Sequence, residues 1–272
     1  MKKCGIVTNS TKDPQYQVTK RITAYLKERQ VECFTAKDAG DIPEDVDVML
    51  VLGGDGTMLL AARETAGKNI PMLGVNMGTL GFLTEVEISG LEEALDKLLK
   101  GEFSSEERMM LQGRVRNKTG ERIVTPALNE IAIARCGSLQ VIRLKIYVNK
   151  MFLYEWKADG IIVATPTGST GYNMSAGGPL VEPGADLILL TPICAHTLNT
   201  RSIVLRAEDE VEIEVAASGT GGNLVVEASA DGSQKILMET GDRICIRKSE
   251  KTTTIVRLSN LSFLEMLHKK MS

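Results

Sequence analysis

The sequence predicts an α/β domain followed by an all-β domain, and three observations carry that expectation. Through residue 100, short apolar runs alternate with stretches of helical periodicity. From residue 101 to 258, period-two alternation takes over, with turn signals between the runs. Where one apolar run meets a helical stretch stands Gly53-Gly54-Asp55-Gly56-Thr57, a glycine turn that carries a carboxylate.

Gly5 to Thr8 reads as the first strand. A helix follows, with Val18, Ile22, Tyr25 and Leu26 on one face. The unbroken run Val48-Met49-Leu50-Val51-Leu52 suits a fully buried strand, and it leads through the glycine turn into a helix over 57–66. Pro71 to Val75 is a further short strand, ending in Asn76-Met77-Gly78-Thr79-Leu80-Gly81-Phe82. Ser89-Gly90-Leu91-Glu92 fits a capping box, after which Leu91, Leu95 and Leu98 share a helix face. Strand and helix alternating through short links predict a parallel sheet, so residues 1–100 are expected to form the α/β domain.

In the second domain, 101–258, Ile142, Leu144, Ile146 and Val148 alternate with polar or bulky partners. Val211, Ile213 and Val215 do the same, as do Ile244 and Ile246. Asn117-Lys118-Thr119-Gly120, Ser218-Gly219-Thr220-Gly221-Gly222 and Thr240-Gly241-Asp242 supply turns, so antiparallel pairing is expected. Leu261 to Lys270 reads as a helix with a basic last turn. Residues 259–272 would then be a helical tail packed back on the first domain. No repeat or low-complexity linker separates the two domains.

Composition excludes several functions. Of 272 residues, 32 are Lys or Arg and 35 Asp or Glu, and the net charge of −3 provides no basic field for nucleic acid. Aromatics at 4% leave little for base stacking. Five scattered cysteines without a CxxC pair, and only His196 and His268, argue against a disulfide framework or a zinc cluster. No apolar run approaches the roughly 20 residues that a membrane-spanning helix needs. A soluble protein of a reducing compartment, the cytoplasm, without membrane or nucleic-acid partners, is expected.

Three stretches carry chemistry. In the glycine turn, backbone N–H groups beside a helix N-terminus suit phosphate. Asp55 would repel that phosphate, a conflict that resolves if it takes a proton from an attacking hydroxyl or faces a metal carried with the phosphates. Turn geometry alone is the bland alternative. The chain has no GxxxxGK[ST], and Leu59 stands where a GxGxxG turn needs its third glycine, so neither common nucleotide fingerprint applies. The second stretch, Ala158 to Pro183, crowds glycines and hydroxyls behind the apolar run Ile161 to Ala164, with Tyr172 among them. Such a segment lets backbone approach a ligand closely. The third, Asn129-Glu130, sets an amide beside a carboxylate at a strand entry, which suits ribose hydroxyls or, more plainly, a solvated strand end.

Together these stretches resemble the NAD kinase family, whose members carry GGDGT in an α/β domain. They also carry an Asn-Glu pair early in a β domain and then DG…TPTGST…Y…SAGGP. The likeness extends through Asn76 to Leu83 and through Thr191-Pro192-Ile193-Cys194-Ala195-His196 with Arg201, covering residues 48 to 247. It implies an N-terminal Rossmann-like α/β domain and a β-sandwich-like second domain. It also implies phosphoryl transfer from ATP, or in some members polyphosphate, to the 2′-hydroxyl of the adenosine ribose of NAD, with a divalent metal, magnesium, accompanying ATP. Asp55 matches the general base, while Gly53, Gly54, Gly56 and Thr57 match the phosphate cradle. For NAD, the resemblance points to Asp55, Gly56, Asn129, Glu130, Lys157, Asp159, Thr170, Gly171, Tyr172, Asn173, Met174 and Ser175. No side-chain cluster of the chain's own is expected to hold the metal. A homodimer or homotetramer sharing the site between subunits is implied as well. Three positions depart from the family: Leu60 replaces a frequent basic residue, Gln140 a frequent Arg or His, and Asp231-Gly232-Ser233-Gln234 stands where Asp-Gly-Gln is common. Either Ser233 or Gln234 then takes the glutamine's place. A lipid kinase built on the same turn and a non-catalytic NAD(P) sensor are the competing readings, and retention of Asp55 argues against the sensor.

Overall fold

Apolar runs without a polar interruption become the centre of a parallel sheet in the first of two compact units, residues 1–108 with 252–272. The structure, a computed structural model, describes the whole chain except residues 79, 80, 138, 139, 198, 199, 218–223, 260 and 272. The expected turn at Ser218–Gly222 and two residues of the Asn76–Leu83 stretch therefore lie outside the described residues.

In this unit β1 (Lys3–Thr8) leads through α1 (Gln17–Lys27) to β2 (Glu32–Ala36). Next come β3 (Val48–Gly53), α2 (Asp55–Glu64), β4 (Met72–Asn76), the short β5 (Val86–Glu87) and α3 (Leu91–Lys100). The strands pair in parallel in the order β2-β1-β3-β4. Every residue of β3 and β4 is buried, which is why both read as continuous apolar runs. Ile22 and Leu26 of α1 and Leu91, Leu95 and Leu98 of α3 fill one core with Ile6, Leu50, Leu52 and Leu73. Leu91, Leu95 and Leu98 thus share a buried face as expected, but the capping box does not form. Gly90 occupies the cap position without a side-chain bond, because Ile88–Gly90 coil into a 3₁₀ turn that displaces Ser89. Helix α2 also starts earlier than its apolar pattern suggested, so Asp55 is its first residue.

Strand order reverses between β1 and β3, since the chain leaves β1 for one edge and β3 for the other. At such a switch point the loops after the two strands diverge, opening a crevice at their C-terminal ends. The glycine turn sits there.

The second unit, residues 109–251, is antiparallel. It comprises most of β6 (Ser104–Asn117), then β7 (Gly120–Ala127), β8 (Glu130–Arg135), β9 (Ile142–Val148) and β10 (Met151–Ala158). These are followed by β11 (Gly160–Ala164), the single-turn α4 (Tyr172–Ser175), β12 (Leu187–Ile193), β13 (Ile203–Arg206) and β14 (Val211–Val215). The unit ends with β15 (Val225–Ala230), β16 (Gln234–Glu239) and the greater part of β17 (Arg243–Arg257). A six-stranded sheet runs β13-β12-β11-β8-β15-β16. Facing it are β10-β9-β14 and the start of β17, and Ile142, Leu144, Val211, Ile213 and Ile244 pack into one core with Ile131, Ile161, Ile188 and Val226. The antiparallel pairing is what the period-two alternation predicts, and the two facing sheets form the sandwich that the family resemblance implies. On the other face of the six-stranded sheet, Ala176 and Val181 of the Gly/Ser/Thr segment pack on Ala132, Ile162, Ala164 and Leu189. That segment is therefore a layer of the fold, which accounts for β11 being buried along its whole length.

The unit boundaries differ from those expected at 100 and 258. The break falls within β6 at the start and within β17 at the end, because each of these long strands continues through it. After β17, α5 (Phe263–Met271) completes the first unit.

Candidate functional site

Strand β3 ends at Gly53, and Gly54 turns the chain in extended conformation (φ −133°, ψ −169°) so that α2 begins at Asp55. Thr57 N and Met58 N both donate to the Gly54 carbonyl, at 2.9 and 3.1 Å. The N–H groups of Asp55 and Gly56 belong to the first turn, where a helix supplies no internal acceptor and its dipole favours anions. Nothing lies within 4 Å of where a Cβ on Gly56 would stand, so the chain is uncrowded on that side of the turn.

The Asp55 carboxylate is held firmly. Phe82 N donates to Oδ2 at 2.7 Å and Leu83 N to Oδ1 at 3.0 Å. Each oxygen keeps a second lone-pair direction for an incoming donor. The chain passes close enough to do this because residue 81 is glycine, whose Cβ would stand 1.8 Å from Oδ1.

Around the turn is a cleft of about 670 Å³ lined by Thr8 at the end of β1, Asn9 and Ser10 beyond it, Gly54 to Thr57, the lysines Lys12 and Lys37, the carboxylates Asp38 and Glu64, and Leu60 and Gly81. Lys12 supplies positive charge at the turn, with its Nζ 3.1 Å from the position of a Cβ on Gly54. Gly53 is different from its neighbours: it is buried in the strand, and Thr57 Oγ1 occupies the space 2.1 Å from its absent Cβ. It shapes the turn and does not line the cleft.

The second unit gathers most of the other expected residues. Asp231, in the turn between β15 and β16, accepts N–H bonds from Leu128, Asn129 and Glu130 at 2.8, 2.9 and 3.1 Å. This bracket fixes the entry to β8. Thr165 reinforces it by donating through Oγ1 to the Leu128 carbonyl at 2.6 Å, while its own N–H reaches the Asn129 carbonyl at 2.8 Å. Residue 168 must be glycine, since a Cβ would stand 2.1 Å from that same Asn129 carbonyl. Gly171 then lies over the pair, its Cβ position 3.1 Å from Asn129 Nδ2 and 3.3 Å from Glu130 Oε2.

Asn129 Oδ1 and Glu130 Oε2 are buried without a hydrogen-bond partner among the described residues. Native proteins leave few such atoms, and here both stand side by side. Burial, then the nearby Asp231 charge, pushes the Glu130 carboxyl up to about 7, against a smaller opposing pull from the Tyr172 N–H. The folded carboxyl thus holds its proton to higher pH than the unfolded one, and stability that is full below pH 4.5 is lost as pH rises through 7. The shift corresponds to about 3 kcal/mol. Glu130→Gln removes the titration, so its unfolding midpoint should gain on the natural protein between pH 5 and pH 8. Denaturant melts at the two values check this, and parallel behaviour would contradict it.

Tyr172 is 44% exposed on α4 and lies in the field of Glu130, Asp159 and Cys194, which, after burial, raises its phenol above the usual value. Asp159 Oδ1 lies 3.3 Å from the Arg135 Nε and 3.6 Å from the His196 Nε2. Lys157, expected beside Asp159, is exposed, and its carbonyl instead accepts the His196 N–H at 2.8 Å. Thr170 and Gly171 are partly exposed, and Met174 and Ser175 lie on the open side of α4.

Asn173 departs from the expected ligand contact. Its side chain is fully buried, donating to the carbonyls of Ser169 and Pro179 at 3.3 and 3.0 Å and accepting from Thr191 Oγ1 at 2.7 Å. It clasps the loop instead, because a neutral amide can satisfy several main-chain groups at once. Gln234 is likewise engaged, accepting Thr125 N at 2.6 Å, while Ser233 donates within the turn to Ala230 at 2.8 Å.

Sequence reasoning missed Lys12, Arg135 and the bracketing role of Asp231. Only Asp231 left a signal, standing in a stretch already singled out. Among the described residues no three His, Cys, Asp or Glu side chains group as a metal site.

A switch-point cleft with an oriented carboxylate, together with a sandwich unit presenting a buried amide–carboxylate pair, is the architecture of a two-domain nucleotide kinase. Residues 11–103 match the family model of the ATP-NAD kinase N-terminal domain, and residues 128–258 that of the ATP-NAD kinase C-terminal domain. The chain belongs to the NAD kinase family. The NAD kinase of Agathobacter rectalis is 43% identical over 282 residues, covering 100% of this chain and 99% of the relative. That of Lachnospira eligens is 42% identical over 294 residues, covering 100% of both. Among solved structures, an NAD kinase from Archaeoglobus fulgidus in complex with ATP has a TM-score of 0.79 at 28% identity over 98% of each chain. Yeast NADH kinase complexed with NADH has a TM-score of 0.84 at 22% identity, covering 100% of this chain and 87% of that one, a likeness of fold.

Proposed function

We propose that this chain phosphorylates NAD on the 2′-hydroxyl of its adenosine ribose, taking the phosphoryl group from ATP, with polyphosphate as the alternative donor to be tested. The observation that carries the reading is the Asp55 carboxylate, oriented by two main-chain N–H groups beside a helix N-terminus. Donor phosphates rest on the first-turn N–H groups of Asp55 and Gly56, with Lys12 opposite, while Gly54 and Thr57 bond to each other and hold the turn in shape. Asp55 accepts the hydroxyl proton as the ribose oxygen bonds to the γ-phosphorus and the bond to the β,γ-bridging oxygen breaks, releasing ADP. Magnesium enters as part of the Mg-ATP substrate. The chain's own role is to orient the reactants, which supplies much of the acceleration in phosphoryl transfer.

Asn129 and Glu130 receive the adenosine and ribose portion of NAD, for which their two unpartnered buried oxygens are suited. Thr170 to Met174 and Ser175 form the segment around adenine, with Asn173 holding its shape. Asp159, with Arg135 and His196, faces the nicotinamide end, and Lys157 adds charge at the rim. We infer a cytoplasmic homodimer or homotetramer whose subunits share the site. No helix among the described residues is long and apolar enough to cross a membrane.

Incubating the purified protein with Mg-ATP and NAD should yield NADP, detected with an NADP-specific dehydrogenase. Parallel reactions with NADH, polyphosphate and diacylglycerol test the acceptor and donor. Phosphorylated diacylglycerol without NADP would overturn the reading, as would no product in any reaction.

A further inference from the structure

The tail helix α5 opens with a reciprocal cap: Ser262 N and Oγ each donate to Glu265 Oε2 at 2.7 Å, and Glu265 N donates back to Ser262 Oγ at 3.3 Å. Its last turn carries Lys270, whose Nζ lies 4.2 Å from the centroid of the Phe82 ring. That Nζ is buried and has no hydrogen-bond acceptor among the described residues. A buried ammonium without an acceptor is costly, and the face of the Phe82 ring is the compensation on offer.

Phe82 is also the residue whose N–H holds Asp55 Oδ2. Three residues further on, Glu85 Oε1 accepts the N–H groups of Leu258 and Ser259, both at 2.7 Å, and Oε2 pairs with Arg257 at 3.1 Å. The segment from Phe82 to Glu85 is therefore gripped by the C-terminal tail at both ends and holds the Asp55 carboxylate on its main chain.

We propose that Lys270 is a positioning residue for phosphoryl transfer: its ammonium, seated on the Phe82 ring, fixes the segment whose N–H groups orient Asp55. This rests on Asp55 being the base. Asp55 and Glu85 face Lys270 with negative charge, Arg257 and Lys269 with positive charge. Burial outweighs these and pushes Lys270 down to about 8, so its grip on the ring weakens as pH rises through that value.

Lys270→Met should lower kcat roughly tenfold while the KM for NAD stays within about twofold. The natural enzyme should lose kcat above about pH 8, a limb absent from Lys270→Met, and Lys270→Arg should restore kcat because a guanidinium also binds a ring face. Phe82→Leu should reproduce the loss. Melting temperatures separate this from misfolding: a kcat that falls only with the folded fraction overturns the proposal, as does an unchanged kcat in Lys270→Met. A second readout needs no turnover. With lysines carrying ¹³C-methyl labels, NMR titration of Lys270 should move to lower pH in Asp55→Asn, which removes a carboxylate that favours the ammonium. An unmoved titration overturns this proposal alone, whereas full turnover by Asp55→Asn overturns the reading of Asp55 on which it rests.

Discussion

Asp55→Asn is expected to lower kcat by about 10²–10⁴ while the KM for NAD changes little. The size follows from what an amide cannot do, since it fills nearly the same space but accepts no proton. The change is not electrostatically silent in the apo protein. Phe82 N and Leu83 N now each meet a carboxylate oxygen, at 2.7 and 3.0 Å, and an amide can offer an acceptor to only one of them. The other N–H would face an NH₂ group, costing about 1–3 kcal/mol. A lower melting temperature should therefore accompany the kinetic loss. Steady-state rates at saturating Mg-ATP, with NAD binding measured by calorimetry, separate the two effects. Residual turnover above about one part in a hundred would reject the general-base role. If NAD affinity fell as far as kcat, Asp55 would be holding substrate instead.

Asp231→Ala should be the most damaging single change in the sandwich unit. Three main-chain N–H groups, those of Leu128, Asn129 and Glu130, lose their acceptor together. Each unsatisfied donor costs about 1–3 kcal/mol, and water entering the gap recovers part of that. Relief of the charge near Glu130 offsets some of the remainder. A net loss of about 3 kcal/mol is expected, a fall of roughly 6–12 °C in melting temperature for a chain this size. Because the same bonds aim the Asn129-Glu130 pair, the KM for NAD should rise at temperatures where the variant is still folded. A variant of normal stability and normal KM would mean that the bracket is dispensable.

How much of this was legible depended on how far apart the partners lie in the chain. The buried strand, the glycine turn and the following helix are contiguous, so residues 48–64 could be read directly. Even there the pattern of apolar residues marked only the part of α2 that packs, and missed the polar first turn that Asp55 opens. Lys12 follows β1, and it reaches the turn because β1 and β3 are parallel neighbours, a pairing that no local pattern encodes. Asp231 reaches residues 128–130 through the antiparallel pairing of β8 with β15, about a hundred positions away. Burial of Glu130 was equally hidden, since a carboxylate at a strand entry normally faces water. The clasp made by the Asn173 side chain was not legible, because an amide in a loop gives the same sequence signal whether it faces a ligand or holds the loop itself.

The approach of Gly81 to Asp55, and of Gly168 to the Asn129 carbonyl, means that parts of this centre are defined by volume that must stay empty. Such positions have no side chain to delete, so a truncation survey passes over them without registering that they matter. Their tolerance runs opposite to that of a packed core, where loss of atoms does the harm. Here a single added methyl group is the injury, and nothing inserted elsewhere could compensate for it. A library for engineering this chain should therefore be built around glycines held fixed, with variation confined to the side chains that reach past them.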